Sequence, residues 1–124
     1  MLIEIKNIEQ DHSGVFRRWF TCDNMDLFVW YNEECQVDSF QLTFSDLNGE
    51  YLVNWSADAG FQYAYPSRDN IEHVTHKASI LVQPGRRFSL KRVFDKFISQ
   101  SRIVNRELVR FISNRLIREE IRMS

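Results

Sequence analysis

Gly14-Val15-Phe16-Arg17-Arg18-Trp19-Phe20-Thr21-Cys22-Asp23-Asn24-Met25-Asp26-Leu27-Phe28-Val29-Trp30-Tyr31 is the stretch whose reading decides the fold. Two runs rich in aromatic and β-branched residues flank Asp23-Asn24, a dipeptide that tolerates positive φ and suits a two-residue hairpin turn. A turn centred there sets Trp19 opposite Phe28 and Arg17 opposite Trp30 on one side of the sheet. On the other side Phe20 meets Leu27 and Arg18 meets Val29. Both faces are mostly apolar, so both are expected to be covered, and each carries one arginine among aromatic rings.

Outward from this hairpin, the turn signals recur about every ten residues, the spacing of an antiparallel meander. Upstream, Ile3 and Ile5 alternate with Glu4 and Lys6 in a first strand over residues 2–9, and Asp11-His12-Ser13-Gly14 turns into the hairpin. Downstream, Asn32-Glu33-Glu34-Cys35 turns into a strand over residues 36–44. It carries Phe40, Leu42 and Phe44 on one face and Ser39, Gln41 and Thr43 on the other. Asn48-Gly49 is the strongest hairpin signal in the chain. It leads to residues 50–56, where Tyr51, Val53 and Trp55 oppose Leu52 and Asn54. Ala57-Asp58-Ala59-Gly60 introduces a strand over residues 61–65. Pro66-Ser67-Arg68-Asp69-Asn70 closes it, before a last strand candidate at residues 71–82.

After Gln83-Pro84-Gly85 the apolar period changes from two to that of a helix. Ser89 is placed as an N-cap, with Phe88 and Val93 as its hydrophobic staple. Val93, Phe94, Phe97 and Ile98 follow at helical spacing. Asn105 caps a second segment with Leu108, Phe111, Ile112 and Leu116 as its apolar stripe. Residues 100–104 hold no Gly or Pro, so one bent helix and two separate helices are both compatible with the pattern. The expected architecture is a single α+β domain over residues 1–124. It comprises an antiparallel β meander of six to seven strands, open or curled into a half-barrel, then one or two helices packed on one face.

With 124 residues and 44% hydrophobic content the chain can bury a core without disulfide or metal support. No apolar run approaches the ~20 residues that span a bilayer, and the first residues lack a secretory pattern, which predicts a cytoplasmic protein. Cys22 and Cys35 are expected at opposite ends of one strand, roughly 23 Å apart at ~3.3 Å per residue, so they are predicted to stay reduced. Charge is uneven. Residues 1–85 hold 5 Lys/Arg and 13 Asp/Glu, a balance of −8, whereas residues 86–124 hold 11 and 4, a balance of +7.

Arg17-Arg18-Trp19-Phe20, then Asp26-Leu27-Phe28-Val29-Trp30, then Phe40-Gln41-Leu42 together resemble a family of small bacterial proteins of unknown function. The likeness extends loosely to Asn54-Trp55 and to Lys77 before Ile80-Leu81. It implies the same strand order and a bacterial, cytoplasmic origin, and brings no activity, cofactor or catalytic residue with it.

The candidate site is the polar set Arg17, Arg18, Asp26, Gln41 and Lys77 with Trp19 and Trp30 as walls. An arginine in mid-sheet must be paired or stacked to offset its desolvation. The set therefore reads either as an Arg–Asp–Trp network that fixes register or as a pocket for a small anionic ligand. His73 and His76 point to opposite faces of a strand, which argues against a metal. No nucleophile motif or phosphate loop is present, and Asp23, Glu33 and Glu34 beside the two cysteines disfavour thiolates.

Arg102, Arg106 and Arg110, with Arg118 further round, form a basic stripe. It lacks an aromatic for base stacking, so nucleic acid is disfavoured as its partner. The expected function is a non-enzymatic small-ligand or protein-binding domain, without cofactor, and a homodimer if a second copy covers the open sheet face. The alternatives are an enzyme using Arg18, Lys77 and Asp26, and weak nucleic-acid binding by the basic helix.

Overall fold

The hairpin turns at Asp23-Asn24, and its ladder runs pair by pair from Cys22↔Met25 to Phe16↔Tyr31, including Trp19↔Phe28, Arg17↔Trp30, Phe20↔Leu27 and Arg18↔Val29. The computed structural model describes residues 1–6, 16–46, 49–64 and 90–123. Among them, six strands form one open antiparallel sheet in chain order: β1 (Ile3–Ile5), β2 (Phe16–Cys22), β3 (Met25–Tyr31), β4 (Val37–Asp46), β5 (Gly49–Ser56) and β6 (Gly60–Ala64). Two helices follow, α1 (Leu90–Gln100) and α2 (Arg106–Met123). The fold is α+β, an unclosed meander and then two helices. The seventh strand candidate, Asn48, the loops at 11–14 and 66–70, and the capping pair Phe88 and Ser89 lie outside the described residues.

Turn chemistry explains the hairpins. Among the described residues only Cys35 (φ 61°) and Gly60 (φ 74°) take positive φ, so Asp23-Asn24 turns without using its tolerance for it. The Asn24 carbonyl accepts from Ser45 N (2.9 Å), which ties this turn to the far end of β4. In the next loop Asn32 N donates to the Gln36 carbonyl (2.9 Å), and Asn32 Oδ1 accepts from the backbone N–H groups of Glu34 and Gln36. Cys35 closes this three-residue loop in the left-handed conformation that usually falls to glycine. Immediately beyond it, Trp30 pairs with Ser39 but Tyr31 pairs with Val37, leaving Asp38 as an extra residue in β4. Val37 and Phe40 consequently both pack toward the same core, although two residues separate them.

That core lies between one sheet face and the helices. Phe20, Leu27, Val29, Phe40, Leu42, Phe44 and Val53 meet Leu90, Val93 and Phe97 of α1 and Leu108, Ile112 and Leu116 of α2. Each fully buried side chain of this size contributes roughly 1.5–3 kcal/mol. The stripe on α1 begins at Leu90, earlier than its sequence pattern suggested, and Ile98 is exposed. Two helices form rather than one. Ser101 Oγ donates back to the Phe97 carbonyl as α1 ends, and Asn105 Oδ1 caps α2 by accepting from the N–H of Glu107 (2.9 Å) and Leu108 (3.2 Å). Leu2 N donates to the Gln100 carbonyl at 2.7 Å, so the start of the chain satisfies an otherwise unpartnered helix terminus. No helix among the described residues is long and apolar enough to cross a membrane.

Candidate binding face of the sheet

The second sheet face is assembled by strict alternation, and its composition changes from edge to edge. Across the register, one row reads Ile5, Trp19, Phe28, Gln41, Asn54, Gln62; its neighbour reads Arg17, Trp30, Ser39, Ser56; and the row on the other side reads Ile3, Thr21, Asp26, Thr43, Leu52. Strands β2 and β3 thus supply rings, while β4 and β5 supply mainly neutral amides and hydroxyls. Trp19 stacks on Phe28 (5.5 Å between centroids, 8° between planes), and Phe28 on Trp30 (6.1 Å, 26°). Asp26 Oδ1 accepts from Thr21 Oγ1 (2.7 Å) and from Trp19 Nε1 (3.0 Å), which fixes the indole against its neighbour.

Neither helix packs here, yet Phe28, Trp30 and Leu52 are buried within the single chain. Exposed apolar area on this face therefore gives no argument for a second copy. More telling is the polar half. Ser39 is 0% exposed, Gln41 1% and Asn54 7%, and Ser39 Oγ, Gln41 Oε1 and Asn54 Oδ1 have no hydrogen-bond partner. Leaving such a group unsatisfied costs about 1–3 kcal/mol each, and native proteins keep few of them. These three are adjacent. Gln41 pairs directly across the ladder with Asn54, and Ser39 stands two residues along β4 on the same face.

The structure brings five of the expected site residues to one face: Arg17, Trp19, Asp26, Trp30 and Gln41. It separates Arg18 from them. Arg18 occupies the helix-side face, lies across the Phe20 ring (4.9 Å to its centroid) and reaches Glu4 with two hydrogen bonds, Nη2 to Oε1 (2.7 Å) and Nε to Oε2 (2.9 Å). A third goes to the Tyr31 hydroxyl at 3.4 Å. The Arg18 bonds, outweighing burial and helped by Lys6 at 3.2 Å, lower the Glu4 carboxyl from 4.5 to about 2. Glu4 in turn raises the Arg18 guanidinium. Arg18, grouped with Asp26 and Lys77 in the expected site, is instead bound to a carboxylate supplied by β1.

Lys77, His73 and His76 lie outside the described residues. Residues that sequence reasoning did not assign to the site are Ser39, Phe28 and Asn54; the available signal was the coincidence of two amides, Gln41 and Asn54, at facing positions. Among the described residues no three His, Cys, Asp or Glu side chains gather as a metal site. Arg102 in the connection between the helices and Arg106, Arg110 and Arg118 on α2 are all exposed. Comparison with protein-family models, with curated proteins and with solved structures found no match for this chain.

Proposed function

We propose that this chain is a non-enzymatic binding domain that takes a small ligand on the tryptophan-bearing face of its sheet. One observation carries the reading: three adjacent polar atoms, on Ser39, Gln41 and Asn54, are buried without partners beside a stacked aromatic row. A purely structural face would gain by exchanging them for apolar side chains, whereas a ligand that bonds to them turns the same cost into affinity. Trp19 and Trp30 wall the site, Asp26 holds Trp19 in place, and Arg17 stands opposite Trp30 at its margin.

The test is a thermal-melting screen of the wild-type chain against carboxylates, phosphates, nucleotides and neutral heterocycles, run in parallel with Gln41→Leu. The variant is expected to melt at the same temperature or higher and to lose any ligand-induced shift. If Gln41→Leu is instead destabilised by more than about 1 kcal/mol and no compound shifts the wild type, the amide is structural and the reading fails.

A further inference from the structure

Building on that binding role, we infer that the ligand is an uncharged planar heterocycle bearing a cyclic amide, such as a free nucleobase. Gln41 Oε1 and Asn54 Oδ1 are acceptors, so the ligand must bring hydrogens to them. A simple carboxylate brings none, and stripping the water from any anion at a buried face of carbonyl oxygens is unfavourable. Each carboxamide also carries an NH2 group. Two amides facing one another across a ladder therefore offer acceptor and donor side by side, the complement of a ring N–H next to a ring carbonyl.

Dimensions agree. Strands lie about 4.8 Å apart and same-face neighbours about 6.8 Å apart along a strand. Ser39, Gln41 and Asn54 thus spring from a patch on the scale of one six-membered ring. A buried aromatic row adjoins the patch, because Phe28 pairs with Gln41 and Trp30 with Ser39. A neutral sugar would also donate hydrogens and stack. Its several hydroxyls, however, each require a partner when buried, and three orphaned atoms cannot serve them all.

The experiment titrates the full chain with uracil and 2-pyridone, and with benzoate, glucose, toluene and a short oligouridylate as contrasts. Melting temperature and the fluorescence of Trp19 and Trp30 are the readouts. At least one cyclic amide is expected to raise the melting temperature and change the emission, with affinity falling tenfold or more in Gln41→Leu. Asn54→Leu and Ser39→Ala serve if that variant does not fold. A response to benzoate, glucose or toluene with none to the cyclic amides overturns the ligand class and leaves the binding role standing. A response to the oligonucleotide alone overturns the free-base assignment. If no probe moves either signal, this inference falls, and the wider screen described above judges the binding role separately.

Discussion

Glu4 is a residue through which acid should weaken this fold. Its carboxyl is held at about 2 by the Arg18 bonds, below its ordinary 4.5, and both side chains are only about a quarter exposed or less. A depressed carboxyl contributes stability that is fully present above its unfolded value. That contribution is lost as pH falls from about 4.5 through about 2. At neutral pH it amounts to roughly 1–3 kcal/mol after allowance for solvent screening. Urea unfolding of wild type and Glu4→Gln at pH 7, 4 and 2.5 should show a gap that narrows as acid is added; a constant gap would contradict the assignment. An arginine in mid-sheet calls for a partner, and the half-buried partner that Arg18 finds, Glu4, was not legible nearby. Asp26 is close in sequence, whereas Glu4 reaches Arg18 because β1 docks on β2 and sets Glu4 opposite Phe20, one step diagonal to Arg18.

Among the elements, the two residues with left-handed backbone make opposing predictions. Cys35 has a Cβ that this conformation disfavours, so Cys35→Gly should stabilise the protein by about 0.5–1 kcal/mol. Gly60 occupies the same region with open space where a Cβ would stand, so Gly60→Ala should cost about 1–2 kcal/mol through the backbone alone. Chemical denaturation of both variants measures the pair, and equal signs would refute the conformational argument. The strand pattern was readable because side chains alternate with a period of two and the Asp23-Asn24 turn anchors the register. The same logic picked out Gln41 but not its neighbours Ser39 and Asn54. Neutral polar residues at alternating positions look like a solvent face, and the burial that makes them informative comes from tertiary structure, which no local period records.

At the scale of the whole molecule, sheet and helices share one core in which Phe40 and Phe97 are completely buried. Unfolding followed by helical circular dichroism and by the fluorescence of Trp19, Trp30 and Trp55 should therefore give superimposable transitions. Two separated transitions would mean that the helices can leave while the sheet survives. The open sheet and the paired helices match the expected architecture, and the break at residues 101–105 is set by side-chain bonds from Ser101 and Asn105 rather than by a helix-breaking residue. The surplus residue at Asp38 has a wider consequence. It sits where Trp30 meets Ser39, and its carbonyl accepts from Ala57 N (2.9 Å) in the turn before β6. Removing Asp38 would restore an unbroken ladder without moving any core residue to the wrong side, yet it would change the local twist beneath the aromatic row. The molecule thus carries an adjusting screw: a single codon sets the twist under Trp30 and Ser39.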